Sequence, residues 1–300
     1  MPDAVRQVCP ELLLRANSPH GHHTKACSRF IAWLCKQTKP APTKTDKERR
    51  VPLSDNTVRN ALSPLKACLS TARREGLIRH NPANEATLPH RATVDADEDR
   101  PRPFPRVEGE QGEMIETMEL VVQLVPSPHR LMFELLAATG VRRSELLAFE
   151  GRHLVLDEAR PYVMVRQRVR RRRGEGLVIG PLKSRYSRRD LPISMALAKR
   201  LLALDIAPRL LVFQSSAGTM LDPDNLATRV LAPACEGADV EWAGFHTFRH
   251  TVASRLFAEG RNVVQVQRWL GHHSASFTLD TYVHLLDNDL GEPLAMSFAE

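Results

Sequence analysis

The sequence predicts an α+β protein: a small all-helical N-terminal part, then a mainly helical part that holds a small antiparallel sheet. Three observations carry that expectation. Apolar residues recur at helical spacing before residue 80, a proline-rich charged stretch interrupts the chain near residue 100, and short β-like runs then alternate with helical ones.

Taken in order, Phe30, Ile31 and Leu34 mark the apolar stripe of a short helix. A second helix starts with Ser54 or Asp55 as N-cap and carries Val58, Leu62, Leu65 and Leu69 on one face. Pro64 falls inside it and calls for either a kink or a restart capped by Ser63. Gly76 and Pro82 close the helical region. Lys39–Pro52, rich in Lys, Thr, Pro and Arg, reads as a solvated loop. Leu88–Gly112 carries prolines at 89, 101, 103 and 105, many charges and almost no apolar periodicity, which predicts an interdomain linker.

Beyond the linker, Met114–Val125 and His129–Ala138 read as helices, the second stopping at Gly140. Val163–Val169, Leu177–Ile179 and Asp190–Ile193 have β-like character, with Gly174 and Gly176 marking a turn. Met195–Leu204, Asn225–Ala234, Thr247–Glu259 and Val263–Leu270 are helical again.

Composition narrows the function. A formal charge of +7 and a pI of about 9.4 favour a polyanionic partner, and 42% hydrophobic residues can supply a packed core. No apolar run reaches the about 18 residues of a membrane span, and Met1–Pro10 lacks the apolar core of a secretory signal. Five cysteines, at 9, 27, 35, 68 and 235, form no CxxC pair, which suits a reducing cytoplasm better than a disulfide framework. His20, His22, His23, Cys27 and Cys35 fit no standard zinc spacing, so no metal is expected.

Four clusters carry candidate chemistry. In Thr139–Leu146 a helix ends, turns on Gly140 and restarts, so that Arg142 can aim its fork at a phosphate near a helix N-terminus. Lys183, beside a β-hairpin whose return strand ends at Ile193, can donate a proton to a departing oxygen. His246 and Arg249, three apart, share one face of a helix start, while His250 lies off that face and is expected to serve structure. Gly271 ends a helix and presents His272, and Tyr282 follows ten residues later in a short amphipathic segment. Tyrosine is a plausible nucleophile when cations stabilise its phenolate. Taken singly, each cluster has a plain reading: a paired surface arginine, a solvated lysine, a buried tyrosine with a satisfied hydroxyl.

Together, in this order and spacing, the clusters resemble the tyrosine recombinase (phage integrase) family from about Ser54 onward, most strongly over Leu131–Leu285. The resemblance implies a catalytic set of Arg142, Lys183, His246, Arg249, His272 and the nucleophile Tyr282, with Glu145 supporting from behind. Tyr282 would attack a DNA phosphate to form a 3′-phosphotyrosyl bond. Arg142 and Arg249 would neutralise the non-bridging oxygens, and Lys183 would protonate the leaving 5′-oxygen. His246 and His272 would hydrogen-bond the phosphate, with His246 a candidate for helping to deprotonate the tyrosine. The covalent bond stores the energy of the phosphodiester, so no cofactor is implied.

Ten Arg or Lys residues against one acidic residue, Glu175, lie between Arg166 and Arg189. Arg168, Arg170, Arg171, Arg172, Arg173, Arg185 and Arg188 are accordingly candidate contacts to DNA phosphates. The resemblance further implies three regions: residues 1–90, a shortened SAM-like core-binding DNA clamp, residues 91–112, a linker, and residues 113–300, the catalytic domain. Its partner would be double-stranded DNA, bound as a homo-tetramer on two sites, with room for an accessory directionality protein. Leu285–Glu300 would dock into a neighbouring subunit or against its own domain, and the protein would work at the nucleoid in the cytoplasm. Two rival readings are a type IB topoisomerase-like enzyme that pairs no sites and an inactive DNA-binding remnant of a mobile element.

Overall fold

In the computed structural model, Phe30, Ile31 and Leu34 lie on the buried face of helix α1 (Gly21–Lys36), as their spacing requires. The residues described are 21–40, 50–87, 102–108, 114–157 and 159–282. The chain divides into two units, Met1–Asp95 and Ala96–Glu300. Residues 88–101 and 109–112 of the expected linker and the tail at 285–300 fall outside the described residues.

In the first unit, helix α2 (Asp55–Arg74) begins at Ser54, whose hydroxyl accepts the Thr57 N–H at 3.3 Å. Val58, Leu62, Leu65 and Leu69 are buried with Cys27 and Ile31 in one cluster. The restart at Ser63 does not occur: α2 runs on through Pro64, and the Ser63 hydroxyl donates to the Arg59 carbonyl instead of capping. Proline removes one backbone donor, and burial of the apolar face on both sides of it outweighs that loss.

Two further expectations need correction. Pro82 does not close a helix but opens one, α3 (Pro82–Glu85), after Asn81, whose Oδ1 accepts the Ala83 N–H at 3.0 Å. The Asn81 amide also donates to the Lys66 carbonyl and the Ser70 hydroxyl, tying α3 to α2. Both ends of the expected 39–52 loop are strands, β1 (Thr38–Pro40) and β2 (Arg50–Pro52), paired antiparallel.

The second unit opens on a hairpin of β3 (Arg106–Glu108) and β4 (Met114–Glu116). Helix α4 (Thr117–Leu124) therefore starts three residues later than its apolar pattern suggested, because strand pairing claims the first three. The expected linker ends inside this unit: Phe104 is buried, and its N–H donates to the Thr251 hydroxyl at 2.8 Å.

Helix α5 (Ser127–Thr139) stops at Gly140, and a single turn, α6 (Arg143–Leu146), follows. The sheet is antiparallel throughout, in the order β5 (Leu154–Val155), β6 (Tyr162–Val165), β9 (Arg189–Pro192). A separate hairpin joins β7 (Gln167–Arg172) to β8 (Gly176–Pro181), so the strand ending at Pro192 returns to β6 and not to the hairpin.

Helix α7 (Met195–Leu202) follows the sheet. The 225–234 region is three pieces: α8 (Pro223–Leu226), a π-helical turn Ala227–Leu231 and α9 (Ala232–Glu236). The last helices are α10 (Phe245–Ala258), α11 (Val263–Leu270) and α12 (Ala275–Tyr282). Phe133 of α5 and Phe248 of α10 are fully buried and meet Phe104 and Phe245 ring to ring. Each such side chain contributes about 1.5–3 kcal/mol on burial, which anchors the helix carrying His246 and Arg249 against the one ending at Gly140.

Candidate active site

Two glycine turns far apart in sequence meet at the site. Gly140 ends α5 at φ +61° and Gly271 ends α11 at φ +66°, the left-handed region that disfavours a side chain. Both are also close-packed. A Cβ on Gly140 would lie 3.0 Å from Val252 Cβ, and one on Gly271 would lie 3.0 Å from Arg189 Nη1 and 3.1 Å from Ser187 Cα. Arg249, only 4% exposed, spans the turns, donating to the Gly140 carbonyl at 3.0 Å and to the Leu270 carbonyl. Trp269 adds a second tie through its indole N–H to the Thr139 carbonyl at 3.0 Å.

Glu145 organises the arginines. At the third position of α6 it reaches back to accept the Arg142 N–H at 3.1 Å and the Arg142 guanidinium at 2.8 Å. Its second strong partner is Arg189 of β9 at 2.9 Å, which also donates to the Trp269 and Ser187 carbonyls. Burial raises the Glu145 carboxyl, but Arg189 and then Arg142 outweigh it and hold the group below the usual carboxylate range. Arg142 also donates to the Gly271 carbonyl at 3.3 Å and keeps its side chain 32% exposed. Three guanidiniums thus gather around one carboxylate. Burial first, then Arg142 and Arg189, push the Arg249 guanidinium down, and Glu145 offsets this only in part.

The histidines feel the same field. His272, buried at 6% exposure, is pushed down to about 3, first by burial and then by Arg249 and Arg142, so its imidazole is neutral. Its Nδ1 lies 2.8 Å from the Thr278 hydroxyl. His246, at the start of α10, is lowered as well, its ring partly withdrawn from solvent although the residue as a whole keeps an exposed surface, with Arg249 and Arg142 adding to the effect.

Tyr282 ends α12 at 1% exposure, its ring stacked on His272 at 6.2 Å and 10°. Burial raises its hydroxyl to about 12, although Arg249 and Arg142 pull the other way. The hydroxyl meets His250 Nδ1 at 2.9 Å, rather than His246.

Arg142 is thus paired with Glu145, and His272 is stacked on Tyr282, while Arg249 and His246 join them through the turns and the electrostatic field. Lys183 joins none of them: it stands exposed in the turn between β8 and the short 3-10 turn Arg185–Ser187. On the hairpin, Arg170 and Arg173 are exposed and Arg168 is half-buried against the Pro181 carbonyl. Arg171 pairs with Asp222 and Asp224, and Arg172 with Glu175. Arg188 is exposed, and Arg185 lies over the Tyr186 ring. Among the described residues, no three His, Cys, Asp or Glu side chains gather where they could hold a metal ion.

Two contributors were missed by sequence reasoning. Arg189 looked like one basic residue among ten, yet alternation along β9 points it inward with Leu191 while Asp190 points out. His250 was assigned to structure alone, although its i+4 spacing from His246 places both on one side of α10.

The Phage integrase family profile matches residues 110–289, well over half of the chain, and the Phage integrase SAM-like domain profile matches residues 23–88. The chain belongs to the phage integrase family. It is a tyrosine site-specific recombinase, an enzyme that breaks and rejoins DNA strands. The tyrosine recombinase XerC of Thermodesulfovibrio yellowstonii is 29% identical over 241 residues, covering 77% of this chain and 72% of that protein. Transposase A of transposon Tn554 from Staphylococcus aureus is 51% identical over 45 residues, 15% of this chain and 12% of that protein. Among solved structures, the fold is shared with the Tn1549 transposon integrase in complex with transposon right end DNA, at TM-score 0.62 and 18% identity, covering 93% of this chain and 89% of that one. It is shared also with the XerH site-specific recombinase bound to difH substrate, at TM-score 0.54 and 17% identity, covering 88% of this chain and 68% of that one. No helix among the described residues is long and apolar enough to cross a membrane.

Proposed function

We propose that this recombinase cleaves double-stranded DNA through Tyr282, with the scissile phosphate seated between Arg142 and Arg249. The observation that carries the reading is the charge imbalance of the site: Arg142 and Arg189 share the single carboxylate of Glu145, and the buried Arg249 bonds only to the Gly140 and Leu270 carbonyls. Burying unneutralised cations is costly, and a phosphodiester supplies the missing negative charge where the turns at Gly140 and Gly271 meet.

Chemistry follows from the placement. Tyr282 Oη gives up its proton, with His246 the candidate acceptor, and forms a bond to phosphorus as the bond to the 5′-oxygen breaks, leaving a 3′-phosphotyrosyl link and a 5′-hydroxyl. Arg142 and Arg249 neutralise the non-bridging oxygens, and Lys183, exposed between β8 and the 3-10 turn, protonates the departing oxygen. The Thr278 hydroxyl occupies His272 Nδ1 at 2.8 Å, which leaves Nε2 as the ring nitrogen that meets the phosphate. His246 hydrogen-bonds the phosphate from the exposed side. Rejoining reverses the sequence with the 5′-hydroxyl of the partner strand, and the conserved energy of the ester drives it without ATP. The exposed arginines of the β7–β8 hairpin extend the positive surface toward flanking phosphates. Working units would be tetramers pairing two sites, in the cytoplasm where DNA is accessible.

The test is covalent trapping. Wild-type protein incubated with DNA is denatured, digested and mapped by peptide mass, and the attached DNA ends are sequenced. Tyr282→Phe should bind DNA with unchanged affinity and form no adduct. An adduct that survives the substitution, or maps to Tyr162 or Tyr186, would sink the assignment.

A further inference from the structure

We propose that His250 is a positioning residue that holds the Tyr282 hydroxyl in a withdrawn resting place and must release it before attack. The inference rests on Tyr282 being the nucleophile, and it adds the residue that controls where that nucleophile waits.

Three observations converge. The Tyr282 hydroxyl lies 2.9 Å from His250 Nδ1, with the rings 5.7 Å apart, so the contact is a side-chain pair between the end of α12 and the middle of α10. Tyr282 is almost without solvent exposure, and the ring is enclosed by Val252, Leu256, Val266, Phe257 and His272. A hydroxyl enclosed in this way is out of reach of a phosphate on the surface of a duplex. Helix α12 is lightly held: Thr278 and Tyr282 are its buried residues, while Phe277 and Leu279 remain exposed. Each buried residue has a polar tether, Thr278 to His272 and Tyr282 to His250.

The physical consequence is a switch between two positions of one hydroxyl. An enclosed phenol without a partner carries the full desolvation penalty of its O–H, whereas one bonded to His250 does not. His250 therefore stabilises the withdrawn position selectively, because the exposed hydroxyl can bond to water or to phosphate. Tyr282 also remains protonated while enclosed, since burial outweighs the pull of Arg249 and Arg142 there. Moved out of its enclosure, the same phenol loses the burial that opposes those guanidiniums. Holding the tyrosine back protects DNA from cleavage before the phosphate is seated.

Tetranitromethane nitration reads the position of Tyr282 directly, with exposed Tyr186 as the reference within the same molecule. In the free wild-type protein Tyr282 should react far more slowly than Tyr186. His250→Phe, which keeps a ring in place and removes the nitrogen, should raise Tyr282 nitration roughly 5- to 30-fold relative to Tyr186, the range expected when a buried hydroxyl loses its partner. His250→Asn, which returns a polar atom near the Nδ1 position, should restore protection. In single-turnover reactions on a nicked duplex carrying the sequence mapped by covalent trapping, His250→Phe should form adduct faster than wild type. Unchanged nitration in a folded His250→Phe protein overturns the proposal, as does slower adduct formation with nitration raised. If His250→Phe does not fold, wild-type Tyr282 reacting as fast as Tyr186 overturns it on its own. Failure of the nucleophile assignment is distinguishable, because it shows as an adduct in Tyr282→Phe and leaves the nitration result untouched.

Discussion

Arg189 and Glu145 form an ion pair of 2.9 Å in which both side chains are buried, at 6% and 3% exposure. The pair sits behind Arg142 and fixes the carboxylate that orients it. Glu145→Gln leaves Arg189 and Arg142 without neutralisation and should destabilise the second unit by about 3–5 kcal/mol. Urea unfolding checks this. Combining Glu145→Gln with Arg189→Met should cost less than the sum of the two single changes, since the double variant leaves no buried charge of the pair behind.

Stability should form a plateau in pH. His272 is lowered from 6.5 to about 3, so the folded state binds fewer protons than the unfolded state between those values, and its contribution is complete above 6.5 and lost as pH falls. Glu145, also depressed, adds to the loss at the acid end. Tyr282 is raised from 10 to about 12, so its contribution is complete below 10 and lost above. Burial raises the Cys27 thiol and takes that of Cys235 from 9 to about 11, so their contributions fall away above 9. Thermal unfolding from pH 4 to 11 should show a flat maximum between about 6.5 and 9, with each side falling by no more than roughly 1.4 kcal/mol per pH unit and group. His272→Gln should flatten the acid side.

Gly271→Ala should be poorly tolerated, because the new Cβ meets backbone atoms of Tyr186 and Ser187 at 3.1–3.2 Å as well as Arg189, at a positive φ. A loss of at least about 1 kcal/mol, a drop of roughly 2–4 °C in a unit of this size, is expected by calorimetry. Gly174→Ala, in the open hairpin turn at φ +81° with no atom near the Cβ, should cost only the backbone strain.

Lys183→Ala should slow cleavage of ordinary DNA by about 10²–10⁴-fold, the usual range for loss of a general acid. The defect should largely vanish when sulfur replaces the bridging 5′-oxygen, because a thiolate departs without a proton. Equal defects on both substrates would exclude Lys183 from this role.

Arg173→Ala should weaken DNA binding without altering sequence preference and reduce the slope of log affinity against log salt by about 1. Arg171→Ala should change the slope less, because Asp222 and Asp224 already neutralise that side chain. Filter binding across a salt series separates the two outcomes.

The sequence by itself determined the α+β class, the helix faces of α1 and α2, the end of α5 at Gly140 and the whole of α11, because side-chain periodicity and glycine stops are local properties. It also determined the candidate reactive residues, since their types and order lie along the chain itself. Strand pairing was not legible: β4 took residues assigned to α4, and β9 joined β6 instead of the hairpin, because pairing depends on a partner distant in sequence. Pro64 shows the same limit, its local preference overridden by burial of the face around it. Only the tertiary structure decided that Arg249 joins the turns at Gly140 and Leu270, that Arg189 stands behind Glu145 and that His250 meets Tyr282. Each of these depends on burial, which makes a polar side chain choose one partner out of many, and burial exists only once the helices have packed.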